Sequence, residues 1–148
     1  MYTIEEFDKG KTKILKYILY KKRSENEVRR KFAKELDENM LEDIIEYLKE
    51  AKYIDDEDYI EKTINNFKIL KKMSIMELKY KLQAKGLNKD LIEDYIYQNR
   101  DELIEYEINS AEKIILRKDQ EKPEIVSYLM KKGYKRDNIN KAFERIEN

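Results

Sequence analysis

A nine-residue pattern that occurs twice, fifty residues apart, most constrains how this chain can fold. It reads SENEVRRKF at residues 24–32 and SIMELKYKL at residues 74–82. Ser-x-x-Glu is a capping box, in which the Ser hydroxyl accepts a backbone N–H and the Glu carboxylate accepts the N–H of the Ser. The apolar residues at the fifth and ninth positions are four apart, so they lie on one face of a helix. Each copy therefore predicts a capped, basic, amphipathic helix.

The repeat extends beyond this pattern, as a fixed period in a chain often does. A shift of 50 residues aligns Ile14 with Ile64 upstream, and one extra residue in the second copy aligns Ile45 with Ile96 downstream. A third, more diverged copy has YLMKKGY at 128–134. We expect an all-α fold of three tandem three-helix repeats that form an elongated, curved array. The expected segments are an N-terminal lead-in at 1–10 and repeats at 11–54, 55–99 and 100–148.

Three helices are expected in each repeat, and local signals mark several of their ends. Gly86 and Gly133 each follow a Lys, which fits glycine C-caps of the middle helices. Asn88 and Asp137 are placed to cap the third helices of the second and third repeats. The expected helices span 11–22, 24–35, 38–52, 56–72, 74–85, 88–98, 101–117, 121–132 and 136–147.

The densest acidic run is YIDDEDY at residues 53–59. A calcium loop would need Gly at its sixth position, and counting from Asp55 that position is Ile60. A structural role fits better: Asp55 or Asp56 caps the fourth helix, and further acids face the positive end of its dipole. The apolar members of the run, Tyr53, Ile54 and Tyr59, are expected to pack in the core.

Composition argues against an enzyme and against a membrane protein. The chain has no Cys and no His, so thiolate metal sites and the commonest general base are absent. It has no glycine-rich phosphate loop and no apolar run long enough for a membrane span. The acidic start, MYTIEEFDKG, is unlike a signal peptide. We expect a cytoplasmic, monomeric, non-enzymatic protein without a cofactor or a metal.

Charge alternates along the chain although the formal net charge is zero. Bases outnumber acids over residues 1–34, 67–89 and 113–136, and acids outnumber bases between those segments. Each basic cluster falls at the junction of the first and second helices of a repeat or along the second helix, where Lys, Arg and helix N-termini bind phosphates. The candidate partner-binding or DNA-binding residues are Lys21, Lys22, Arg23, Arg29, Arg30, Lys31, Lys71, Lys72, Lys79, Lys81, Lys85, Lys131, Lys132, Lys135 and Arg136.

Two interpretations of these clusters are open. Lys-rich segments are often solvated faces, and tyrosines among them are often core residues. Alternatively, Tyr20, Tyr80, Tyr128 and Tyr134 could stack on unpaired bases beside the cations. The threefold recurrence of the clusters favours binding. The acidic face of the third helix of repeat 1 is expected to face solvent or a basic partner.

Four segments carry a resemblance to a known family. RSENEVRRKF at 23–32, YIDDEDY at 53–59, ELKYKLQAKGL at 77–87 and YLMKKGY at 128–134 resemble the RecX family of regulatory proteins. The resemblance covers nearly the whole chain. It implies three tandem three-helix repeats, binding in the groove of a RecA recombinase filament on single-stranded DNA, and inhibition of recombinase activity. Contacts to single-stranded DNA phosphates are a second expectation.

Two other functions remain open from the residues alone. A stand-alone helical DNA-binding protein would use its three-helix units like helix-turn-helix modules, but few Asn, Gln or Arg are placed to read bases. A protein-interaction solenoid indifferent to DNA would need none of the basic clusters.

Overall fold

The computed structural model describes residues 1–70 and 72–148, and all regular secondary structure in this part is helical. Lys71, one of the candidate binding residues, lies outside the described residues. The all-α prediction is confirmed. None of the described helices is long and apolar enough to cross a membrane. The helices are α1 (Ile4–Tyr20), α2 (Glu25–Phe32), α3 (Glu38–Glu50), α4 (Asp56–Leu70), α5 (Ile75–Ala84), α6 (Lys89–Gln98), α7 (Arg100–Arg117), α8 (Lys122–Lys131) and α9 (Arg136–Glu147).

The first helix begins seven residues before the expected start, inside the predicted lead-in. Thr3 forms a capping box with Glu6, since its hydroxyl accepts the Glu6 N–H at 3.1 Å and the Glu6 carboxylate accepts the Thr3 N–H. Gly10 lies buried in this helix, and a Cβ there would be 2.9 Å from Cδ1 of Ile44. The missing side chain therefore allows α1 to approach α3 closely.

Most of the predicted caps are present. Ser24 and Ser74 each form the full capping box, and Asn88 accepts backbone N–H groups at the start of α6. Gly86 and Gly133 end the middle helices at positive φ, 80° and 96°, which favours glycine.

The prediction that Asp137 caps the last helix is wrong. The N-cap of α9 is Lys135, without a side-chain cap, and Asp137 lies in the first turn. That position is still favourable for an acid, because the N-terminal end of a helix carries positive partial charge.

The acidic run at 53–59 has the predicted structural role, with one exception. The Asp55 carboxylate accepts the Asp58 N–H at 3.1 Å at the start of α4. Ile54 and Tyr59 are buried, whereas Tyr53 remains half exposed, so its predicted place in the core is wrong.

The nine helices of the described chain fit three successive three-helix units, α1–α3, α4–α6 and α7–α9, called units 1, 2 and 3 below. In every unit the first helix packs against the third and the middle helix contacts the third. Each unit contributes one buried cluster, centred on Ile44 and Ile45 in unit 1, Ile60 and Ile92 in unit 2, and Leu129 and Ile139 in unit 3.

Consecutive units meet where the middle helices end. The Ser24 hydroxyl at the start of α2 donates to the Lys85 carbonyl at the end of α5, at 3.3 Å. One unit later, the Ser74 hydroxyl at the start of α5 donates to the Lys132 carbonyl at the end of α8, at 2.7 Å. The middle helices are therefore joined head to tail, and each capping serine also holds the glycine turn of the following unit.

We call each contact between consecutive units a joint. A carboxylate from the following unit also takes part in each joint. Asp56 on α4 accepts the first N–H of α2, from Glu25, at 3.0 Å. Glu107 on α7 accepts the first N–H of α5, from Ile75, at 2.8 Å. Glu107 is fully buried, and it also accepts the Lys135 N–H and the side-chain amide of Asn138. These bonds offset the cost of burying a charge.

Candidate partner-binding surface

Two of the fifteen candidate cations form ion pairs between the middle and third helices of their own unit. Arg29 on α2 donates two hydrogen bonds to the Glu42 carboxylate on α3, one of them 2.9 Å long. Lys79 on α5 lies 3.0 Å from Glu93 on α6. These are corresponding pairs in units 1 and 2, and they connect the middle helix to the third helix. The basic residue that follows the first apolar residue of the repeated pattern therefore forms an internal ion pair in both units.

Lys22 and Arg23, at the junction of α1 and α2, are also engaged. The Lys22 ammonium pairs with Asp58 of unit 2 at 2.5 Å, and its hydrogen bond is the main cause that lowers the pKa of Asp58. Arg23 stacks over the Tyr17 ring, 4.1 Å from the ring centroid, and pairs with Glu27. Both side chains are therefore held by contacts within the protein.

Lys132 and Lys85 belong to the joints. The Lys132 ammonium donates to the Lys72 carbonyl at 3.3 Å and lies 3.9 Å from the Glu77 carboxylate. Lys85 is half buried, and its carbonyl accepts the Ser24 hydroxyl. These two residues contribute to the association of consecutive units.

The other described candidates are exposed, and within the described chain none of them has a carboxylate within ion-pair distance. We call them the exposed cations. Lys31 and Lys81 occupy corresponding positions on α2 and α5, whereas the corresponding residue of unit 3 is Tyr128. The exposed cations are Lys21, Arg30, Lys31, Lys72, Lys81, Lys131, Lys135 and Arg136.

Three of the four tyrosines proposed to stack on bases are accessible. Tyr20, Tyr80 and Tyr128 are exposed, and Lys118 lies over the Tyr128 ring at 3.7 Å. Tyr134 is buried, with its hydroxyl 2.6 Å from that of Ser110, so the proposal is wrong for Tyr134. Burial raises the pKa of Tyr134 well above its ordinary value.

One feature of this surface is absent from the sequence-based candidates. Leu19, Ile69 and Leu116, in the last turn of the first helix of each unit, are 70%, 76% and 71% exposed. We call them the apolar row. Single exposed apolar residues are ordinary, but these three occupy one position of the repeat. The sequence signal was their alignment, with a basic run directly after each.

The acidic side of α3 contributes to the fold as well as to the surface. Glu42 pairs with Arg29, and the Tyr2 hydroxyl donates to Asp43. The Arg29 hydrogen bond lowers the pKa of Glu42. Among the described residues, no cluster of three or more acidic side chains is arranged to hold a metal ion.

Comparison with known proteins identifies relatives that share both sequence and fold. The chain is 30% identical over 157 aligned positions to the regulatory protein RecX of Staphylococcus epidermidis, with 99% of this chain covered. It is 27% identical to the regulatory protein RecX of Clostridioides difficile, with 97% covered. The crystal structure of RecX from Lactobacillus salivarius superposes with a TM-score of 0.80 at 22% identity, covering 98% of this chain and 99% of the other.

The length of the match differs among these relatives. The chain spans 58% of the Staphylococcus epidermidis protein and 71% of the Clostridioides difficile protein. A second crystal structure, of a regulatory protein RecX, gives a TM-score of 0.77 at 19% identity and covers 94% of this chain and 73% of that one. No family model matches the chain.

Proposed function

We propose that this chain, which is a homologue of the RecX regulatory proteins, binds a RecA recombinase filament on single-stranded DNA and inhibits its activity. Its relatives carry the name of regulatory proteins, and the RecX family is expected to act on RecA. The proposal concerns a binding protein without catalytic chemistry.

The observation that carries the proposal is the apolar row, which recurs in three successive units, together with an exposed cation that recurs in units 1 and 2. The exposed cations Lys31 and Lys81 occupy the same position, and so do the three members of the apolar row. A helical filament presents identical subunit surfaces at regular intervals. A binder with repeated contacts can therefore engage several neighbouring subunits at once, and linked contacts raise the overall affinity.

In the proposed mechanism, the bound chain acts by occupying the groove of the filament. The units lie along the groove of the filament, the exposed cations contact recombinase carboxylates or DNA phosphates, and the apolar row contacts apolar surface between them. A chain bound across several subunits blocks entry of duplex DNA and changes the rate at which subunits add or leave. Internal ion pairs such as Arg29–Glu42 keep each unit rigid while it is bound.

The test is co-sedimentation with cognate recombinase filaments on single-stranded DNA, together with the DNA-dependent ATPase rate. We expect the wild-type chain to sediment with filaments and to lower the ATPase rate. The variant Lys21→Glu/Arg30→Glu/Lys81→Glu/Lys131→Glu should bind at least tenfold more weakly, because four exposed cations in three units are reversed.

A matched control is available. Lys9→Glu/Lys13→Glu/Lys89→Glu/Lys141→Glu also reverses four exposed cations, none of them a candidate residue, and it should bind like the wild type. A wild-type chain that neither sediments nor changes the ATPase rate would sink the proposal. Tight, salt-sensitive binding to single-stranded DNA without recombinase would instead indicate a stand-alone DNA-binding protein.

A further inference from the structure

The N-terminal end of α8 corresponds in the repeat to the N-terminal ends of α2 and α5, each of which contacts the following unit. A shift of 47 residues, which aligns Gly86 with Gly133, takes Ile75, Met76 and Lys79 to Lys122, Pro123 and Val126. In unit 2 those three residues line the cavity at the joint with unit 3, beside Gly133 and Glu107.

In unit 3 the corresponding positions line an open groove of about 680 Å³. Pro123, Val126 and Met130 supply its apolar lining. Three cations, Lys122, Lys131 and Arg136, stand around it, with Ser127 as the remaining lining residue. Three of the seven lining residues thus correspond to positions that face unit 3 in unit 2, where the Met76 side chain remains 47% exposed.

The two joints show which group binds at the N-terminal end of a middle helix. In both, a carboxylate of the following unit accepts the first N–H of the middle helix: Asp56 accepts that of Glu25, and Glu107 accepts that of Ile75. The corresponding N–H in unit 3 belongs to Lys122, and α8 begins without a side-chain cap. Among the described residues, no carboxylate accepts the first N–H of α8, in contrast to those of α2 and α5.

The positive charge around the groove also favours a ligand that carries carboxylates. The Lys131 side chain is exposed, and within the part of the chain that the structure describes the Arg136 guanidinium contacts the Met130 sulfur at 3.9 Å and no carboxylate. Lys122 pairs weakly with Glu147, at 3.8 Å, and lies over the Phe143 ring. Cations around an apolar floor favour an acidic, amphipathic segment.

A second copy of this chain could occupy the groove only through its unit 1. That unit lacks the glycine turn that forms the other side of each joint. The residue of unit 1 that aligns with Gly86 is Glu35, and among the described residues only Lys52, Gly86 and Gly133 have positive φ. Unit 1 therefore does not present the glycine turn that would stack on α8 in a head-to-tail array.

We propose that the groove at the N-terminal end of α8 binds an acidic helical segment of a partner protein, whose carboxylate accepts the Lys122 N–H and whose apolar side packs on Val126 and Met130. This site is separate from the exposed cations and the apolar row of the proposed function. It would bind its segment whether or not the chain acts on recombinase filaments.

The probe is a synthetic peptide with the sequence of residues 99–118, which contains the helix that occupies the equivalent joint. It is titrated into the full-length chain labelled with ¹⁵N. We expect saturable amide shifts confined to residues 122–131 and Arg136, with the Lys122 amide moving downfield. The same peptide with Glu107→Gln should bind about tenfold more weakly, because hydrogen bonds to charged groups are the stronger ones.

Two variants of the chain locate the site. Met130→Glu should abolish binding, whereas Lys141→Glu, on an exposed position of the same unit outside the groove, should leave it unchanged. Circular dichroism checks that both remain folded. Shifts scattered over the chain, no shifts at millimolar peptide, or equal affinity for the two peptides would overturn the proposal, as would self-association of the chain through this groove in sedimentation.

Discussion

The Ser74 hydroxyl accepts the Glu77 N–H at 3.1 Å and donates to the Lys132 carbonyl at 2.7 Å. One side chain therefore begins α5 and holds the end of α8, which lies 58 residues later in the chain. Ser24 does the same for Lys85. The motif that marks the start of each middle helix is also half of the contact between units.

Replacing the capping serine should therefore cost more than the loss of a cap alone. We expect Ser74→Ala to lower the free energy of unfolding by about 1.5–3 kcal/mol, from the lost cap and an unpaired carbonyl. Thr3→Ala is the matched control, because Thr3 forms the same capping box and, among the described residues, has no hydrogen bond to another unit, and it should cost about 0.5–1 kcal/mol. Urea denaturation of both variants measures the difference, and equal losses would contradict a role in the joint.

The glycine turn is the other half of the joint, and its two copies differ in the space around them. A Cβ on Gly133 would lie 2.9 Å from the Met76 Cβ, whereas a Cβ on Gly86 would lie 3.1 Å from the Ser24 hydroxyl. Both residues have positive φ. We expect Gly133→Ala to cost about 2–4 kcal/mol, more than Gly86→Ala, since strain and overpacking add.

Thermal unfolding followed by circular dichroism ranks these variants. Gln83→Ala, on the exposed side of α5, is the control and should change stability by no more than about 0.5 kcal/mol. If Gly86→Ala proved the more damaging of the two, the packing of Gly133 against Met76 would not be limiting.

The buried carboxylate of Glu107 should be sensitive to both size and charge. We expect Glu107→Ala to cost about 3–5 kcal/mol, because three donors lose their acceptor in the interior. Glu107→Gln should cost about 2–3 kcal/mol, since the amide oxygen still accepts the Ile75 N–H while the amide nitrogen meets other donors.

Glu105 offers a control on the same helix. It is exposed and pairs with Arg145, so Glu105→Gln should cost at most about 1 kcal/mol. Equilibrium denaturation at neutral pH distinguishes these values. A Glu107→Gln variant as stable as the wild type would mean that the joint does not require the charge.

The bounds of most helices could be predicted from the sequence, because the signals that begin and end a helix are local. The Ser-x-x-Glu boxes and the Lys-Gly ends predicted the start of α2 and α5 and the end of α5 and α8 within a turn. The start of α1 lies earlier than the repeat alignment predicts, because Thr3 and Glu6 form a capping box ahead of the first repeat.

The joints and the pairing of cations depend on contacts between distant residues, so the sequence did not indicate them. Arg29 and Glu42 meet because α2 packs on α3, and the pattern showed only a base and an acidic helix. Tyr134 was predicted to be accessible from its basic neighbours, yet its position on the inner side of the glycine turn places it against Ser110.

Two carboxylates should change stability with pH in opposite directions. Burial raises the pKa of Asp56, only partly opposed by the Glu25 N–H. Its contribution is therefore present below its ordinary pKa and is lost as pH rises through the raised value. The Arg29 hydrogen bond lowers the pKa of Glu42. Its contribution is present above the ordinary value and is lost as pH falls through the lowered one.

Stability measured from pH 3 to 7 tests both signs. The difference in stability between wild type and Asp56→Asn should become less favourable to the wild type as pH rises, while that between wild type and Glu42→Gln should become more favourable. Parallel curves for the two comparisons would contradict the assigned environments.

Neighbouring arginines on α2 should separate stability from binding. Arg29 pairs with Glu42 and Glu25, so Arg29→Glu brings three carboxylates together and should cost about 1–2 kcal/mol. Arg30 is exposed and should tolerate the same change within about 0.5 kcal/mol. If the exposed cations contact the filament, Arg30→Glu weakens co-sedimentation with recombinase although its unfolding curve matches the wild type. Normal sedimentation of Arg30→Glu would remove that residue from the binding surface, whereas weakened sedimentation of Arg29→Glu alone would indicate that rigidity of unit 1, rather than charge at its surface, governs binding.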